Sequence, residues 1–251
     1  MRGSQTTRFI VQAIFFTAFS WSILALWGSA GAHNLCPFAL IQSPILAIHH
    51  SMPPIFIGGV VVGALFLMLG LIMPRLFCGW VCPVGFMSRL LGILGRKIGI
   101  NTKISVKLND RYFILSILVL IYISIMTIIS GRTYCIGGCP LFWSYAGFEV
   151  PIGSMTLVLL VFFLSGSLFI ERFFCRWFCP YGSLLGLLSR FSFFAIGVNR
   201  MECGSCRACS DCPMGTLPKK GPLVDGPMCI SCLRCLDSCK NNSFAVTRRY
   251  R

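Results

Sequence analysis

Arg75-Leu-Phe-Cys78-Gly-Trp80-Val-Cys82-Pro83-Val-Gly85 returns later in the chain as Arg172-Phe-Phe-Cys175-Arg-Trp177-Phe-Cys179-Pro180-Tyr-Gly182. Arg, Phe, Cys, Trp, Cys, Pro and Gly recur at one constant offset, and each copy closes an apolar stretch. One apolar stretch earlier, each copy is preceded by a loop with its own Cys-Pro pair, Cys36-Pro37 and Cys139-Pro140. The unit is span, Cys-Pro loop, span, C-x3-C-P, and it occurs twice. Duplication of this kind gives two halves about a pseudo-two-fold axis. With two spans per half, that axis runs along the membrane normal. It brings Cys78, Cys82, Cys175 and Cys179 towards each other at the cytoplasmic interface.

Composition sets the solvent. Of 251 residues, 56% are hydrophobic and 12% charged, against about 25% charged in a soluble domain. Four apolar stretches, Phe9–Trp27, Ile55–Met73, Tyr112–Ser130 and Met155–Ile170, suit a crossing of roughly 17–25 residues. The first has the basic flank of a signal peptide (Arg2, Arg8), but its length and aromatic content read as an uncleaved helix. A net charge of +15 raises the question of nucleic acid, and its distribution answers against it. Of the 22 lysines and arginines, Arg132 alone falls in a loop after span one or span three. That is the positive-inside pattern. It places the chain as a multi-pass protein of a bacterial or archaeal cytoplasmic membrane, with both termini and the Lys97–Arg111 loop in the cytoplasm.

Cysteines four apart share one face of a helix or tight turn. The proline after each pair suits the first turn of a following helix, where its missing N–H is no loss. Residues 83–98 read as an amphipathic interfacial helix with Arg89, Arg96 and Lys97 on its polar side. Trp80 and Trp177 fall where an aromatic belt is expected. The four thiols could hold a further cluster or metal, form a thiol/disulfide relay, or be plain structural cysteines. Gly59-x3-Gly63 reads as helix packing.

The last fifty or so residues carry two tight cysteine runs, Cys203-x2-Cys206-x2-Cys209-x2-Cys212-Pro213 and Cys229-x2-Cys232-x2-Cys235-x3-Cys239. That spacing wraps a short loop around three corners of an iron–sulfur cubane, and the fourth cysteine of each run crosses to the other cluster. One [4Fe–4S] cluster then takes Cys203, Cys206, Cys209 and Cys239. The other takes Cys229, Cys232, Cys235 and Cys212. Structural zinc prefers two C-x2-C pairs with a longer spacer and would leave about half of the thiolates unused. A disulfide framework gives no reason for the repeated x2 spacing.

With the repeat and the tail both in view, the chain resembles the NapH/MauN family of membrane-bound ferredoxin-type proteins over nearly its whole length. The resemblance rests on four spans, Arg75-Leu-Phe-Cys78-x3-Cys82-Pro83, Cys175-x3-Cys179-Pro180-x-Gly182 and the two tail runs. It implies the membrane component of a quinol dehydrogenase. Quinol from the membrane pool would be oxidised, and electrons would pass to a partner iron–sulfur or cytochrome protein and a reductase. The family's best-known member is linked to periplasmic nitrate reduction, and this chain departs from it in its outer-loop cysteines, Cys36, Cys135 and Cys139. These could exchange electrons outside the membrane, pair structurally, or bind metal with His33.

The expected architecture is a mainly α membrane protein with four transmembrane helices in two pseudo-repeats, followed by a small bacterial-ferredoxin-like α+β domain. Residues 1–100 form the first repeat, 101–197 the second and 198–251 the tail domain. His49, His50, Glu149 and Glu171 are proton-acceptor candidates near the bilayer, each more readily read as a loop or interfacial residue. Lys219, Lys220 and Lys240 could steer an acidic partner or meet anionic lipid. A maturation factor delivering electrons to an extracytoplasmic metalloenzyme is the second functional reading, and a redox sensor the third. No acid/base pair, nucleophile triad or phosphate loop is present, so hydrolytic and phosphoryl-transfer chemistry have no support.

Overall fold

The computed structural model describes residues 3–26, 40–42, 44–45, 55–102, 106–130, 154–199, 212–216, 223–224, 227–239, 241 and 243–249. All four apolar stretches fall on helices: α1 (Gly3–Leu26), α2 (Ile55–Ile72), α5 (Val106–Ser130) and α6 (Ser154–Phe169). Among the described residues, Tyr112–Ile129 is long and apolar enough to cross a membrane, and Val60–Ile72 is a shorter apolar helix. These helices are turned inside out relative to a soluble bundle. On α1, Phe9, Ile10, Ile14 and Phe15 face outward while Arg8 and Gln12 are buried. On α5, Ile114, Leu118, Ile121 and Ile125 face outward while Ser116 and Thr127 are buried. The inward hydroxyls are satisfied within the helix: Ser116 donates to the Phe113 carbonyl (2.8 Å) and Thr127 to that of Ile123 (2.8 Å).

The two motif copies have the same local structure. Arg75 (φ 45°) and Arg172 (φ 63°) both sit in the left-handed region, which costs a side-chain-bearing residue about 1–3 kcal/mol and persists only where the surroundings enforce it. That kink breaks the preceding span and starts a five-residue helix, α3 (Leu76–Trp80) in one copy and α7 (Phe173–Trp177) in the other. The first cysteine of each pair lies on the short helix. The second caps the next one: Cys82 Sγ accepts from Gly85 N–H (3.5 Å) and Cys179 Sγ from Gly182 N–H (3.3 Å). Pro83 and Pro180 take the first helical turn of α4 (Pro83–Ile98) and α8 (Pro180–Leu188), where no donor is lost.

Helix α4 buries Ser88 and Gly95 against α6, Gly92 against Glu171 just beyond it and Gly85 against Cys78 and Arg172, and turns Met87, Leu90, Leu94 and Ile98 outward. Ser88 Oγ meets Ser167 Oγ of α6 at 3.1 Å. Helix α8 packs on α5 and α2, with Tyr181 donating to the Gly63 carbonyl (3.0 Å). After a 3-10 turn (Ser189–Phe191), β1 (Phe194–Val198) pairs antiparallel with β2 (Phe244–Arg248), from Phe194↔Arg248 to Val198↔Phe244. A short helix, α9 (Arg234–Ser238), lies within the second cysteine run and carries Cys235. The chain is mainly helical with one two-stranded sheet. Strand β1 begins ahead of residue 198, because its partner β2 needs its full length to pair.

Gly95 is the tightest point of the α4–α6 contact: a β-carbon there would stand 2.0 Å from the Leu168 carbonyl oxygen. Gly95→Ala is expected to lower stability by about 1–3 kcal/mol through overpacking. Gly3→Ala, with nothing within 4 Å, is the neutral control. Thermal unfolding in detergent monitored by circular dichroism checks the difference.

Candidate iron–sulfur sites

Cys212, Cys229, Cys232 and Cys235 line one partly open pocket, with Ile196, Ile230 and Phe244 in its apolar wall. None of the four is in a disulfide. The run wraps the cavity through two residues with positive φ, Ser231 (48°) and Leu233 (57°). Backbone N–H groups of Ser231 and Leu236 reach the sulfurs of Cys229 and Cys235. Burial pushes the Cys229 thiol up to about 12 and the Cys235 thiol well above its ordinary range, with neighbouring thiols adding to both. Among the described residues, no three His, Cys, Asp or Glu side chains converge on a position suited to a single metal ion. Four separated sulfurs with N–H donors and an apolar wall suit a multi-iron cluster better. Cys239 is buried with Val198, Val224 and Phe244. Its three expected companions, Cys203, Cys206 and Cys209, lie outside the described residues.

A second group of four thiols forms where the motif copies meet. Cys78 and Cys175 are buried, Cys82 and Cys179 half-buried, and none is in a disulfide. They are within electrostatic reach of one another: Cys82 feels Cys175 and Cys78, and Cys179 feels Cys78 and Cys82. Burial raises all four thiols first of all, taking Cys175 to about 12. The apolar core that contains Cys78 and Cys175 also contains Cys232, with Cys82, Cys179 and Cys212 packed on its edge. The two thiol groups therefore adjoin through Cys232 and Cys212, while Cys229 and Cys235 pack in a second core with Cys239.

The tail is held on the motifs by a set of contacts that spacing alone does not reveal. Ser231 Oγ donates to the Pro74 carbonyl (2.7 Å), and Trp80 Nε1 donates to the Ser231 carbonyl (3.0 Å). Gly79 lets the run approach, since a β-carbon there would stand 2.2 Å from the Ile230 oxygen. In the second copy that position is Arg176, which donates to the Pro213 carbonyl (2.6 Å) at the end of the first run. The second run and Pro213, which closes the first, thus rest on different motifs. From α1, Gln5 donates to the Cys232 carbonyl (2.9 Å), and Arg8 and Gln12 both donate to the Gly79 carbonyl (2.8 Å each).

The two motif tryptophans have different surroundings. Trp80 is drawn to an open carbonyl, and Trp177 is buried against Tyr112 and Phe173. Glu171 is buried and bonded to Arg96, with Arg234 at 4.0 Å, so its carboxylate is engaged in an ion-pair network. Cys36, Cys135, Cys139, His33, His49, His50, Glu149, Lys219, Lys220 and Lys240 lie outside the described residues. Polar residues at Gln5, Arg8 and Gln12 on the first helix, and the Gly/Arg difference between the copies, were the signals that could have pointed to the junction.

Ser231→Ala leaves the buried Pro74 carbonyl without its donor, an expected loss of about 1–3 kcal/mol. Trypsin cleavage of the tail under native conditions, followed over time, should accelerate accordingly.

A family model described as a 4Fe-4S binding domain matches residues 54–101 and 152–199, and each match encloses one motif copy. An uncharacterized protein of Methanocaldococcus jannaschii is 30% identical over 100% of this chain and 96% of its own length. The ferredoxin-type protein NapH of Haemophilus influenzae is 31% identical, covering 84% of this chain and 75% of its own. The methylamine utilization ferredoxin-type protein MauN of Paracoccus denitrificans is 30% identical, covering 86% and 76%. No solved structure matches the chain.

Proposed function

Because this chain belongs to the NapH/MauN family of ferredoxin-type proteins and serves iron–sulfur electron transfer, we propose that it oxidises quinol in the membrane and hands the electrons to a partner redox protein. The observation that carries the reading is the cavity lined by Cys212, Cys229, Cys232 and Cys235, joined through Cys212 and Cys232 to the core that holds the four thiols of the motif pair. Clusters bound at such thiols supply one-electron transfer at potentials set by burial and hydrogen bonds to sulfur.

The residues divide the work. Cys212, Cys229, Cys232 and Cys235 hold one [4Fe–4S] cluster, and Cys203, Cys206, Cys209 and Cys239 hold the other. Cys78, Cys82, Cys175 and Cys179 hold a third centre at the seam of the two repeats. The apolar wall excludes water from the sulfurs, and N–H groups of Ser231, Leu236, Gly85 and Gly182 steady them. Quinol gives up two electrons, taken one at a time, and two protons that leave to water.

Four membrane spans in two repeats, with both termini and the tail in the cytoplasm, complete the proposal. Support comes from the outward apolar faces of α1, α2, α5 and α6 and the inward polar groups of α1, α5 and α6, an arrangement suited to lipid as solvent. The outward stripe of Met87, Leu90, Leu94 and Ile98 on α4 supports an interfacial position.

Anaerobic addition of menaquinol to the cluster-replete protein, watched by electron paramagnetic resonance, tests the donor. Cluster reduction is the expected result. Clusters that respond to dithionite but not to menaquinol would overturn direct quinol oxidation and bring forward the reading as an electron-delivering maturation factor.

A further inference from the structure

Arg75 and Arg172 open the two motifs, and each reaches into the other copy. Arg172 donates from Nη1 to the Cys78 carbonyl (2.7 Å), and its guanidinium passes Gly85, where a β-carbon would stand 3.3 Å from Nη1. Arg75 runs beside Gly186 on α8, where a β-carbon would stand 2.4 Å from Nη2. It meets Met228 Sδ at 3.8 Å and lies over the Phe113 ring at 5.5 Å. The left-handed backbone at both arginines aims these crossings.

Both cations are dry and under-used. Arg75 is 1% exposed and Arg172 is 0% exposed. The Nε and Nη2 atoms of each are buried without a hydrogen-bond partner. The described ion pairs engage Glu171 with Arg96 and Arg234, and no described carboxylate pairs with Arg75 or Arg172. A buried cation without a counter-charge is strongly unfavourable. The opposite charge within their reach can come from sulfur: Arg75 is within electrostatic reach of Cys78, Cys175, Cys179 and Cys229, and Arg172 of Cys78, Cys82 and Cys175. Arg8, Arg89 and Arg176 also lie within reach of Arg172, which adds to the need for an anion.

We propose that Arg75 and Arg172 are the crossed counter-charges of a dianionic four-thiolate iron–sulfur centre held by Cys78, Cys82, Cys175 and Cys179, and that they set its reduction potential. The inference rests on the third centre proposed above. A dipositive iron–sulfur core held by four thiolates is a dianion, which two guanidiniums neutralise. Their unspent N–H groups are donors for sulfur. Reduction adds a further negative charge to the centre, so a neighbouring cation favours the reduced form and raises the potential. Arg75, also in reach of Cys229, touches the fields of both thiol groups. Arg172 is the cleaner probe. These are positioning residues, acting through charge on a centre they do not ligate.

The test uses the full-length protein, purified anaerobically in detergent, with iron and acid-labile sulfide assays and a redox titration by electron paramagnetic resonance. Cys78→Ser/Cys179→Ser is expected to lose about a third of the iron and one signal, leaving two tail clusters. Loss of no iron in that variant would sink the third centre itself. Given the centre, Arg172→Met is expected to lower one midpoint by at least tenfold in the reduction equilibrium, about 59 mV for one electron, and Arg172→Lys to restore most of it. Loss of that centre's iron in Arg172→Met but not in Arg172→Lys supports the same charge requirement. Unchanged midpoints in a fully loaded Arg172→Met protein would overturn the proposal. So would equal loss of iron in the Met and Lys variants, which would make the arginine a packing residue.

Discussion

Two fully buried guanidiniums crossing at the seam of a duplicated motif constrain everything around them. Arg75 and Arg172 must leave the preceding helix in the left-handed region to reach across, and each needs a glycine on the other side to pass, Gly186 for one and Gly85 for the other. The breaks they impose end α2 and α6 and start the short helices that carry Cys78 and Cys175. The next turn brings Cys82 and Cys179 into capping positions, with prolines where helices accept them. Thiols, cations and helix starts are thus consequences of one local geometry used twice.

The duplication is not symmetric where the tail lands. Gly79 in the first copy admits the backbone of the second cysteine run, while Arg176 in the second copy extends to the end of the first run. One position solves two docking problems, close approach and long reach, by the largest available change of side chain. The contacts from α1 add donors to the Gly79 carbonyl and the Cys232 carbonyl. Cys232 and Cys212 consequently join the apolar core of the motif thiols, while Cys229 and Cys235 pack in the core beneath the sheet.

The helices settle an opposite problem, how to turn apolar side chains outward while keeping polar groups paired. Serine and threonine hydroxyls bond back to carbonyls within their own helices, and large apolar side chains point outward. Helix α4 buries glycines and a serine and leaves its leucines outside, because the close contact with α6 tolerates no larger side chain. Small residues inside and large ones outside are what a chain does when its surroundings are as apolar as its core.

The repeated motif, the apolar stretches and the cysteine spacing were legible in the sequence because each is a one-dimensional signal. Helix periodicity, proline after cysteine and C-x2-C-x2-C all depend on neighbours within a few positions. From these alone came the helical architecture, the grouping of Cys212 with Cys229, Cys232 and Cys235, and the approach of the two C-x3-C pairs. Trp80 shows where such reading stops: nothing near it in the sequence reveals that its Nε1 donates to the carbonyl of residue 231. Glu171, Arg8, Gln12 and Gly79 likewise acquire their meaning from partners dozens or hundreds of positions away. Only the tertiary structure decided that Arg75 and Arg172 are buried, crossed and left with unspent donors beside thiols. Burial and charge balance are properties of the assembled junction, which no single stretch of the chain contains.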